Sequence, residues 1–310
     1  MQSTARIMSG MFLGIWLTTS ALAADVVVIP GNDTLARAVD QAAAGDRLLL
    51  GEGDYTGGLV LTRPVEIIGN GSSRLRGNGQ GSVVTVDSPG VVVAGLQISG
   101  SGSSHQTIDS GVQLTARATG AVIRDNHFEG NLYGVDIHGA RDARVENNVI
   151  TGRQDRLMNR RGNGVYVWNA PGAKVMGNSV KFGRDGIFVN SSRKNSFRNN
   201  RFEDLRFAVH YMYANDSDVT GNLSVGNHLG FAIMFSSRVR IAGNTSINDR
   251  DHGIMLNYAN SSDLEGNVVR NGGEKCLFMY NANKNRMSHN HFEGCQIGIH
   301  FTAGSERNEI

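Results

Sequence analysis

Proline and cysteine are scarce in this sequence, and their scarcity limits the classes of protein to consider. Only 4 prolines stand beside 40 glycines, which disfavours disorder and is typical of many short strands joined by tight turns. With Cys276 and Cys295 as its only cysteines, the chain is not a disulfide-rich scaffold. The formal net charge of +2 does not indicate the strongly basic surface that is typical of nucleic-acid-binding proteins. After residue 24, no stretch approaches the roughly 20 apolar residues that a membrane span requires.

The first residues have the pattern of a secretory signal peptide. Arg6 provides a positive charge, an apolar run extends over 11–17, and the small residues at 21–23 resemble a cleavage site. The alternative, a retained membrane anchor, is disfavoured because the apolar run is too short to cross a bilayer. We therefore predict a signal peptide at 1–23 and a mature protein that is secreted or located in the periplasm.

A repeat of about 22 residues organises the rest of the chain. An asparagine recurs at the same point of each repeat, at positions 126, 148, 178, 200, 222, 244, 267 and 290. About eight residues further on, an apolar–x–apolar triplet follows, as in Ile187/Val189 and Phe231/Ile233. A period of this length fits one coil of three short strands. Leucine-rich repeats have a similar period but need leucine at fixed offsets, where this chain has only scattered leucines.

The repeat predicts an all-β protein, a right-handed parallel β-helix whose coils stack with their apolar columns inward. We expect the recurring asparagine to occupy a corner, to tolerate the left-handed turn there, and to form an amide ladder along the axis. The N-terminal cap and first strands are expected at 24–60, and the β-helix repeats at 61–310. Because the chain stops as another coil begins, we expect it to be truncated at its C-terminus.

A short amphipathic helix is predicted near the start of the mature chain, where it would cover the open first coil. Asp33 or Thr34 is the expected N-cap, and Leu35 and Val39 follow at helical spacing.

The residues that alternate with the inward triplets must face outward, and they are unusual for a solvated surface. Coil by coil, the outward pairs are Asp136/His138, Tyr166/Trp168, Phe188/Asn190, His210/Met212, Ala232/Met234, Met255/Asn257, Phe278/Tyr280 and His300/Thr302. Aromatic, methionine and histidine residues replace the expected lysine, glutamate and threonine. Because contiguous exposed apolar surface usually marks an interaction site, the candidate interface residues are Tyr166, Trp168, Phe188, Phe278 and Tyr280.

The segment "FAVHYMYAND" at 207–216 places a histidine and a methionine in this outward set. Met212 and Met234 hold the same offset in successive coils, so their Cα atoms should lie about 4.8 Å apart. With His210 and Met255 nearby, thioether and imidazole form a soft ligand set that suits Cu(I). The alternative is a methionine-rich adhesive patch without metal.

By the same alternation, Tyr211 and Tyr213 are expected to point inward and to pack rather than ligate.

One repeat is longer than the others by about eight residues, "RQDRLMNRRG" at 153–162. An insertion of this kind loops out on one face and is often part of a binding face. Arg160 and Arg161 are therefore further interface candidates, although a solvated basic loop fits the sequence equally well.

Other combinations of residues give weaker indications. Asp136 and His138 could form an acid/base pair, as in β-helices that modify acidic polysaccharides, but no clustered carboxylates for calcium accompany them. Cys276 occupies an inward position, which predicts a buried, inert thiol, while Cys295 lies in a turn and stays ambiguous. An oxidising compartment would allow the two cysteines to pair, but nothing in their spacing requires it. The sequence contains no P-loop, nucleophile elbow or zinc-ligand spacing.

Five segments of the sequence resemble the NosD family, the periplasmic copper-binding accessory proteins of nitrous oxide reductase maturation. They are "RGNGVYVWNAPGAKV", "FAVHYMYANDSDVTGN", "GFAIMFSSRV", "HGIMLNYANSSDLEGN" and "CLFMYNANKNRMSHN". The resemblance extends from about residue 25 to 310, and its methionine, histidine and tyrosine coils are the specific part. Family members are longer than this chain.

The resemblance implies a role that is not enzymatic: copper delivery or copper–sulfur site assembly for nitrous oxide reductase. The partners it implies are the membrane and ATPase subunits of an ABC transporter, a copper chaperone and the nitrous oxide reductase apoprotein. The resemblance assigns no metal ligands. The prediction that copper is bound by His210, Met212, Met234 and Met255 therefore depends only on their outward positions. The alternative function is a polysaccharide-binding or polysaccharide-modifying β-helix, of the lyase or epimerase kind.

Overall fold

The computed structural model describes residues 23–310, so the predicted signal peptide lies outside the described residues except for its last position. The regular structure consists of 32 strands, the helix α1 (Thr34–Gln41) and a single 3₁₀ turn (Met158–Arg160). Among residues 23–310, no helix is long and apolar enough to cross a membrane.

The strands are short and follow one another closely along the chain. The first half are β1 (Asp25–Val28), β2 (Arg47–Leu50), β3 (Gly53–Thr56), β4 (Leu59–Leu61), β5 (Glu66–Arg76), β6 (Val84–Val86), β7 (Val92–Ser99), β8 (Ser110–Leu114), β9 (Val122–Arg124), β10 (His127–Glu129), β11 (Tyr133–His138), β12 (Arg144–Glu146), β13 (Val149–Thr151), β14 (Val165–Trp168), β15 (Lys174–Met176) and β16 (Ser179–Lys181). The second half are β17 (Asp185–Asn190), β18 (Ser196–Arg198), β19 (Arg201–Glu203), β20 (Phe207–Met212), β21 (Ser217–Thr220), β22 (Leu223–Val225), β23 (Leu229–Met234), β24 (Val239–Ala242), β25 (Thr245–Ile247), β26 (His252–Asn257), β27 (Asp263–Glu265), β28 (Val268–Arg270), β29 (Lys275–Tyr280), β30 (Arg286–Ser288), β31 (His291–Glu293) and β32 (Ile297–Thr302).

These strands pair in parallel and form three stacks that run the length of the molecule. One stack contains 11 strands, in the order β4, β6, β8, β11, β14, β17, β20, β23, β26, β29 and β32. The other 21 strands form two stacks joined by the long strands β5 and β7, each of which passes through both. Because every third strand pairs with its counterpart one coil later, the predicted parallel β-helix is confirmed. The 11-stranded stack carries the candidate site, and we call it the site sheet.

The inward triplets of the site sheet form the core, as predicted. Val135 pairs with Val165, and Val165 with Ile187, in unbroken register. All three side chains are completely buried, and burying each one contributes about 2 kcal/mol before entropy is counted.

The recurring asparagines form the expected ladder. The Nδ2 of Asn200 donates to Oδ1 of Asn222 at 2.9 Å, and the Oδ1 of Asn200 accepts from Nδ2 of Asn178 at 3.0 Å. One detail of the prediction is wrong, because the ladder asparagine is not the left-handed residue of its corner. The residue just before it has positive φ, as at Asn199 (54°) and Gly221 (65°).

The strand β17 of the site sheet begins with an irregularity that alters which residues face outward. In β17, Gly186 and Ile187 both face the core, and a Cβ on Gly186 would collide with the ring of Phe202. Asp185 is consequently turned to the outer face, where it meets His210 of the next coil.

The helix α1 covers the first coil and buries Leu35 and Val39, as predicted. The expected N-cap is not formed: Asp33 adopts φ 57° without a side-chain cap bond. The hydroxyl of Thr34 instead donates to the carbonyl of Gly31 at 3.0 Å.

Cys276 and Cys295 are joined in a disulfide, so the expectation of a buried free thiol at Cys276 is wrong. Cys276 is completely buried in β29, and the partly buried Cys295 packs against the core between β31 and β32. The disulfide joins the corner between β31 and β32 to β29 of the preceding coil.

Candidate functional site

The outer face of the site sheet presents two columns of side chains that follow the predicted outward pairs. The first column is Gln113, Asp136, Tyr166, Phe188, His210, Ala232, Met255, Phe278 and His300. The second column is His138, Trp168, Asn190, Met212, Met234, Asn257, Tyr280 and Thr302. The register was predicted correctly. The columns are less exposed than expected, since Asp136 and Ala232 are completely buried and His210 is 8% exposed.

His210 is fixed by two charged residues of the neighbouring segments. Its Nδ1 lies 3.1 Å from Oδ2 of Asp185 and 3.4 Å from Nη2 of Arg206. Arg206 also donates to both oxygens of Asp185, at 2.8 and 2.6 Å. Because a carboxylate accepts hydrogen bonds, this arrangement keeps a proton on Nδ1 and leaves Nε2 as the free lone pair.

Asp185 stays ionised within this group. Burial disfavours its charge, but the hydrogen bonds from His210 and Arg206 outweigh that effect and hold the pKa of Asp185 below its ordinary value. A buried carboxylate with two cationic or donor partners is a stable anchor for an imidazole.

Aromatic rings fix the plane of the His210 imidazole. Phe188 stacks on it with the ring centroids 4.7 Å apart, and Phe207 approaches it edge-on at 4.8 Å. The guanidinium group of Arg206 lies over the ring of Phe207, with its Cζ 4.5 Å from the ring centroid. The imidazole is therefore held by a stacked ring, by an edge-on ring and by the hydrogen bond at Nδ1.

The three predicted methionine ligands surround Ala232. His210 and Met255 lie one coil before and one coil after Ala232 in the first column. Met234 follows Ala232 by two residues on the same strand, and Met212 pairs with Met234. The methionines are half-buried. The structure thus places all four predicted ligands on three consecutive strands of the site sheet, β20, β23 and β26.

Two polar atoms on β26 were missed by the sequence reasoning. Oδ1 of Asn257, which pairs with Met234, is buried without a hydrogen-bond partner, and so is Nδ1 of His252 at the start of the strand. Buried polar atoms are almost always partnered, so each such atom calls for an explanation. Asn257 belongs to the predicted outward pairs, although it was not predicted as a ligand. His252 lies before the inward triplet of its coil, so the apolar alternation did not predict its position.

Among residues 23–310, no group of three or more histidine, cysteine, aspartate or glutamate residues could hold a metal ion. The donors around Ala232 are thioethers, imidazole and amide. Ions that require carboxylate cages, such as Ca²⁺, do not fit this donor set.

Asp136 and His138 are adjacent, as predicted, but they do not form a strong pair. Nδ1 of His138 lies 3.8 Å from Oδ2 of Asp136, beyond hydrogen-bond distance. Burial raises the pKa of Asp136 to about 7, although a hydrogen bond from Gln113 opposes the rise. Its register partners are Gln113 and Tyr166, so no second carboxylate stands beside it for glycoside hydrolysis.

Several interface candidates are engaged with one another rather than free. The Tyr166 and Phe188 rings stack at 5.4 Å, and the Trp168 ring stacks on His138 at 4.3 Å. Phe278 lies between His252 at 5.1 Å and His300 at 5.5 Å. Tyr280 is the most exposed of these aromatic candidates, at 38%.

The long insertion loops out from the coil, as predicted. Arg160 is exposed, and Nε of Arg161 donates to the carbonyl of Asp155 at 2.6 Å. Arg153 anchors the loop by donating to the carbonyls of Gly130 and Gly102 at 3.0 and 2.8 Å.

The expectation that Tyr213 points inward is wrong, whereas Tyr211 is completely buried as predicted. Tyr213 is 52% exposed and adopts φ 49°. It begins a row of corner residues in which Phe235 stacks on Tyr213 and Tyr258 stacks on Phe235, each at 5.1 Å. We call these three residues the corner ladder.

Two family models match this chain. The family model described as periplasmic copper-binding protein (NosD) matches residues 146–310. A second model, described as a right handed beta helix region, matches residues 66–180 and agrees with the predicted handedness.

Two curated relatives carry the description probable ABC transporter binding protein NosD. The relative from Stutzerimonas stutzeri is 35% identical over 279 residues, which cover 86% of this chain and 64% of the relative. The relative from Pseudomonas aeruginosa is 38% identical over 282 residues, which cover 86% of this chain and 66% of the relative. The chain therefore spans somewhat less than two thirds of the length of these relatives.

Solved structures share the fold at low sequence identity. Polygalacturonase from Erwinia carotovora ssp. carotovora has a TM-score of 0.70 at 12% identity, covering 96% of this chain and all of that one. The A-module of mannuronan C-5 epimerase AlgE6 from Azotobacter vinelandii has a TM-score of 0.59 at 12% identity, covering 88% of this chain and 92% of that one. At this identity the likeness concerns the fold alone.

Proposed function

This chain belongs to the NosD family, whose model is described as periplasmic copper-binding, and from that membership we propose that it binds Cu(I) during maturation of nitrous oxide reductase. In this role it is a periplasmic accessory protein that assists copper delivery or copper–sulfur site assembly. Copper is its cargo, bound by His210, Met212 and Met234, with Met255 close enough to accept the ion next.

The observation that supports this proposal is the orientation of His210. Metal-binding histidines usually donate their second ring N–H to a carboxylate, which fixes the tautomer and raises the basicity of the ligating nitrogen. Asp185 accepts from Nδ1 in this way, and Arg206 holds Asp185 in place. The ligating nitrogen is then Nε2, on the face that carries the methionines.

The donor set favours Cu(I) over other ions. Neutral thioether and imidazole groups are soft or borderline ligands that suit Cu(I). Zinc prefers thiolate, imidazole or carboxylate in a closed tetrahedron, and the carboxylate that contacts His210, that of Asp185, is already paired with His210 and Arg206.

The half-buried position of the methionines suits transfer rather than storage. A flexible thioether can move with its ion because methionine has three rotatable bonds. Met255 lies two coils from His210 in the same column, so the backbone separation is roughly 10 Å. An ion bound at Met234 therefore needs only side-chain motion to reach Met255.

The proposed partners are the membrane and ATPase subunits of an ABC transporter, a copper chaperone and the nitrous oxide reductase apoprotein. The description of both curated relatives as ABC transporter binding proteins supports the first. Among the interface candidates, Tyr280 and Arg160 are exposed and accessible to such partners. We propose a role that is not enzymatic; against hydrolysis of a polysaccharide, which requires a second carboxylate, the register partners of Asp136 are Gln113 and Tyr166.

Cu(I) titration under reducing conditions tests this function. The variant Met212→Leu/Met234→Leu keeps the apolar volume and removes both sulfur atoms. We expect it to lose more than about tenfold in Cu(I) affinity, since even outer-shell changes at metal sites cost 10–100-fold. The matched control, Met158→Leu/Met176→Leu, alters two half-buried methionines elsewhere and should bind like the wild type. Equal affinity in both double variants would contradict the proposal.

A further inference from the structure

The corner ladder occupies backbone positions that aromatic residues rarely adopt. Tyr213, Phe235 and Tyr258 have φ of 49°, 48° and 51°. At the equivalent corner of neighbouring coils, Asn169, Ser191 and Asn281 adopt the same conformation. The left-handed region is tolerated by asparagine and disfavoured for bulky residues. The fold needs the conformation but not the aromatic rings, so the rings serve a purpose other than folding.

The ladder leaves one ring face uncovered. Phe235 is stacked on both sides, and Tyr258 lies between Phe235 and Tyr280, whose ring centroid is 5.9 Å away. Tyr213 is stacked only on its Phe235 side. The preceding corner residue is Ser191, which is too small to cover the other side, and a cavity of about 520 Å³ lies there.

The walls of this cavity are polar and carry a net positive charge. Asn169, Ser191 and Asn215 line it together with Arg193, Arg238 and Asp216. Nη2 of Arg238 donates to Oδ2 of Asp216 at 3.1 Å, which neutralises one pair of charges. Arg193 forms no ion pair within 4.0 Å among the described residues, although its charge helps to lower the pKa of Asp216 at longer range.

From these features we propose that the cavity beside Tyr213 binds an acidic saccharide. A pyranose ring has an apolar face that stacks on an exposed aromatic ring, and its hydroxyl groups hydrogen-bond to asparagine and serine side chains. The carboxylate of an acidic sugar would pair with Arg193. The cavity volume lies within the range of small-ligand sites. This site goes beyond the proposed copper function and does not depend on it.

Titration of the copper-free protein with trigalacturonate tests the proposal, with maltotriose as the neutral probe. We expect saturable binding of trigalacturonate and at least roughly fivefold weaker binding of maltotriose. Tyr213→Ala should weaken trigalacturonate binding by roughly fivefold to tenfold, whereas Tyr213→Phe should keep it. Arg193→Gln should remove the preference for the acidic probe.

The matched control is Tyr258→Ala, which removes an exposed corner aromatic whose faces are covered and which does not line the cavity. It should bind trigalacturonate as the wild type does, and circular dichroism should show all variants folded. Absence of binding by the wild type would overturn the proposal, as would equal losses in Tyr213→Ala and Tyr258→Ala. If Tyr213→Ala instead abolished co-purification with the transporter subunits while no probe bound, the face would be a protein-docking surface and the proposal would be wrong.

Discussion

Nδ1 of His210 lies 3.1 Å from the carboxylate of Asp185, although the two residues are 25 positions apart in the chain. The stacking of β17 and β20 brings them together, and both are nearly completely buried. A buried imidazole that is oriented by an ionised carboxylate presents one defined nitrogen to its surroundings. The copper proposal depends on that orientation.

Asp185→Asn should weaken Cu(I) binding by about 10–100-fold, because the amide no longer fixes the Nδ1–H tautomer. The measurement is Cu(I) competition titration, combined with ¹⁵N NMR of the His210 ring in the copper-free protein. The ring spectrum should change from one tautomer to a mixture. Asp136→Asn, which alters a buried aspartate of the same face, is the control and should leave both readouts unchanged. An unaltered His210 tautomer in Asp185→Asn would refute the positioning role independently of copper.

The buried carboxyl of Asp136 should make the protein less stable as the pH rises. Its pKa is raised to about 7 in the folded state, whereas an unfolded aspartate titrates near 3.9. Between these values the folded state binds more protons, so the free energy of unfolding falls with increasing pH, by about 4 kcal/mol for this group.

Asp136→Asn removes that dependence and should be more stable than the wild type at pH 8 but not at pH 4.5. Urea unfolding at both pH values measures the difference. Asp155→Asn, an exposed aspartate of the long insertion, should retain the wild-type slope. Parallel pH profiles for the wild type and Asp136→Asn would show that this carboxyl is not the cause.

Removal of one ladder asparagine should destabilise the fold strongly. Asn200 donates to Asn222 and to the carbonyl of Val175, each at 2.9 Å, and accepts two bonds from Asn178. Asn200→Ala leaves these buried groups unpartnered, which should cost about 3 kcal/mol or more. Urea unfolding measures the loss, and Asn159→Ala in the exposed insertion should change stability by less than about 0.5 kcal/mol. A similarly small loss of stability in both variants would mean that water replaces the hydrogen bonds of the missing asparagine.

The disulfide between Cys276 and Cys295 should stabilise the coils it joins. The two residues are separated by 19 positions, and closing a loop of this size contributes about 3 kcal/mol in the chain-entropy model. Cys276→Ala/Cys295→Ala should lower the free energy of unfolding by that amount. A thiol assay on the unfolded, unreduced wild type should detect no free thiol. Two free thiols in that assay would show that the bond does not form.

The periodic features of this protein could be predicted from its sequence, because each coil repeats the same local constraints. The 22-residue spacing of the asparagines fixed the coil length, and period-two alternation fixed which residues face outward. The pairing of Met212 with Met234 follows directly from these two rules and is observed.

The features that escaped prediction arise where the alternation breaks. The irregular start of β17 turns Asp185 outward, so the partner of His210 was not in the predicted set. The left-handed corner after β20 reverses the expected side of Tyr213. Cys276 and Cys295 are not one period apart, so stacking of coils did not suggest their bond.

Anomalous diffraction at the copper edge, from crystals of the Cu(I)-loaded protein, locates the bound ion directly. We expect a copper peak above Ala232, in contact with Nε2 of His210 and with the sulfur of Met234, while Nδ1 of His210 stays bonded to Asp185. A peak at any other place in the structure, or a His210 ring that turns Nε2 away from the ion, would contradict this expectation.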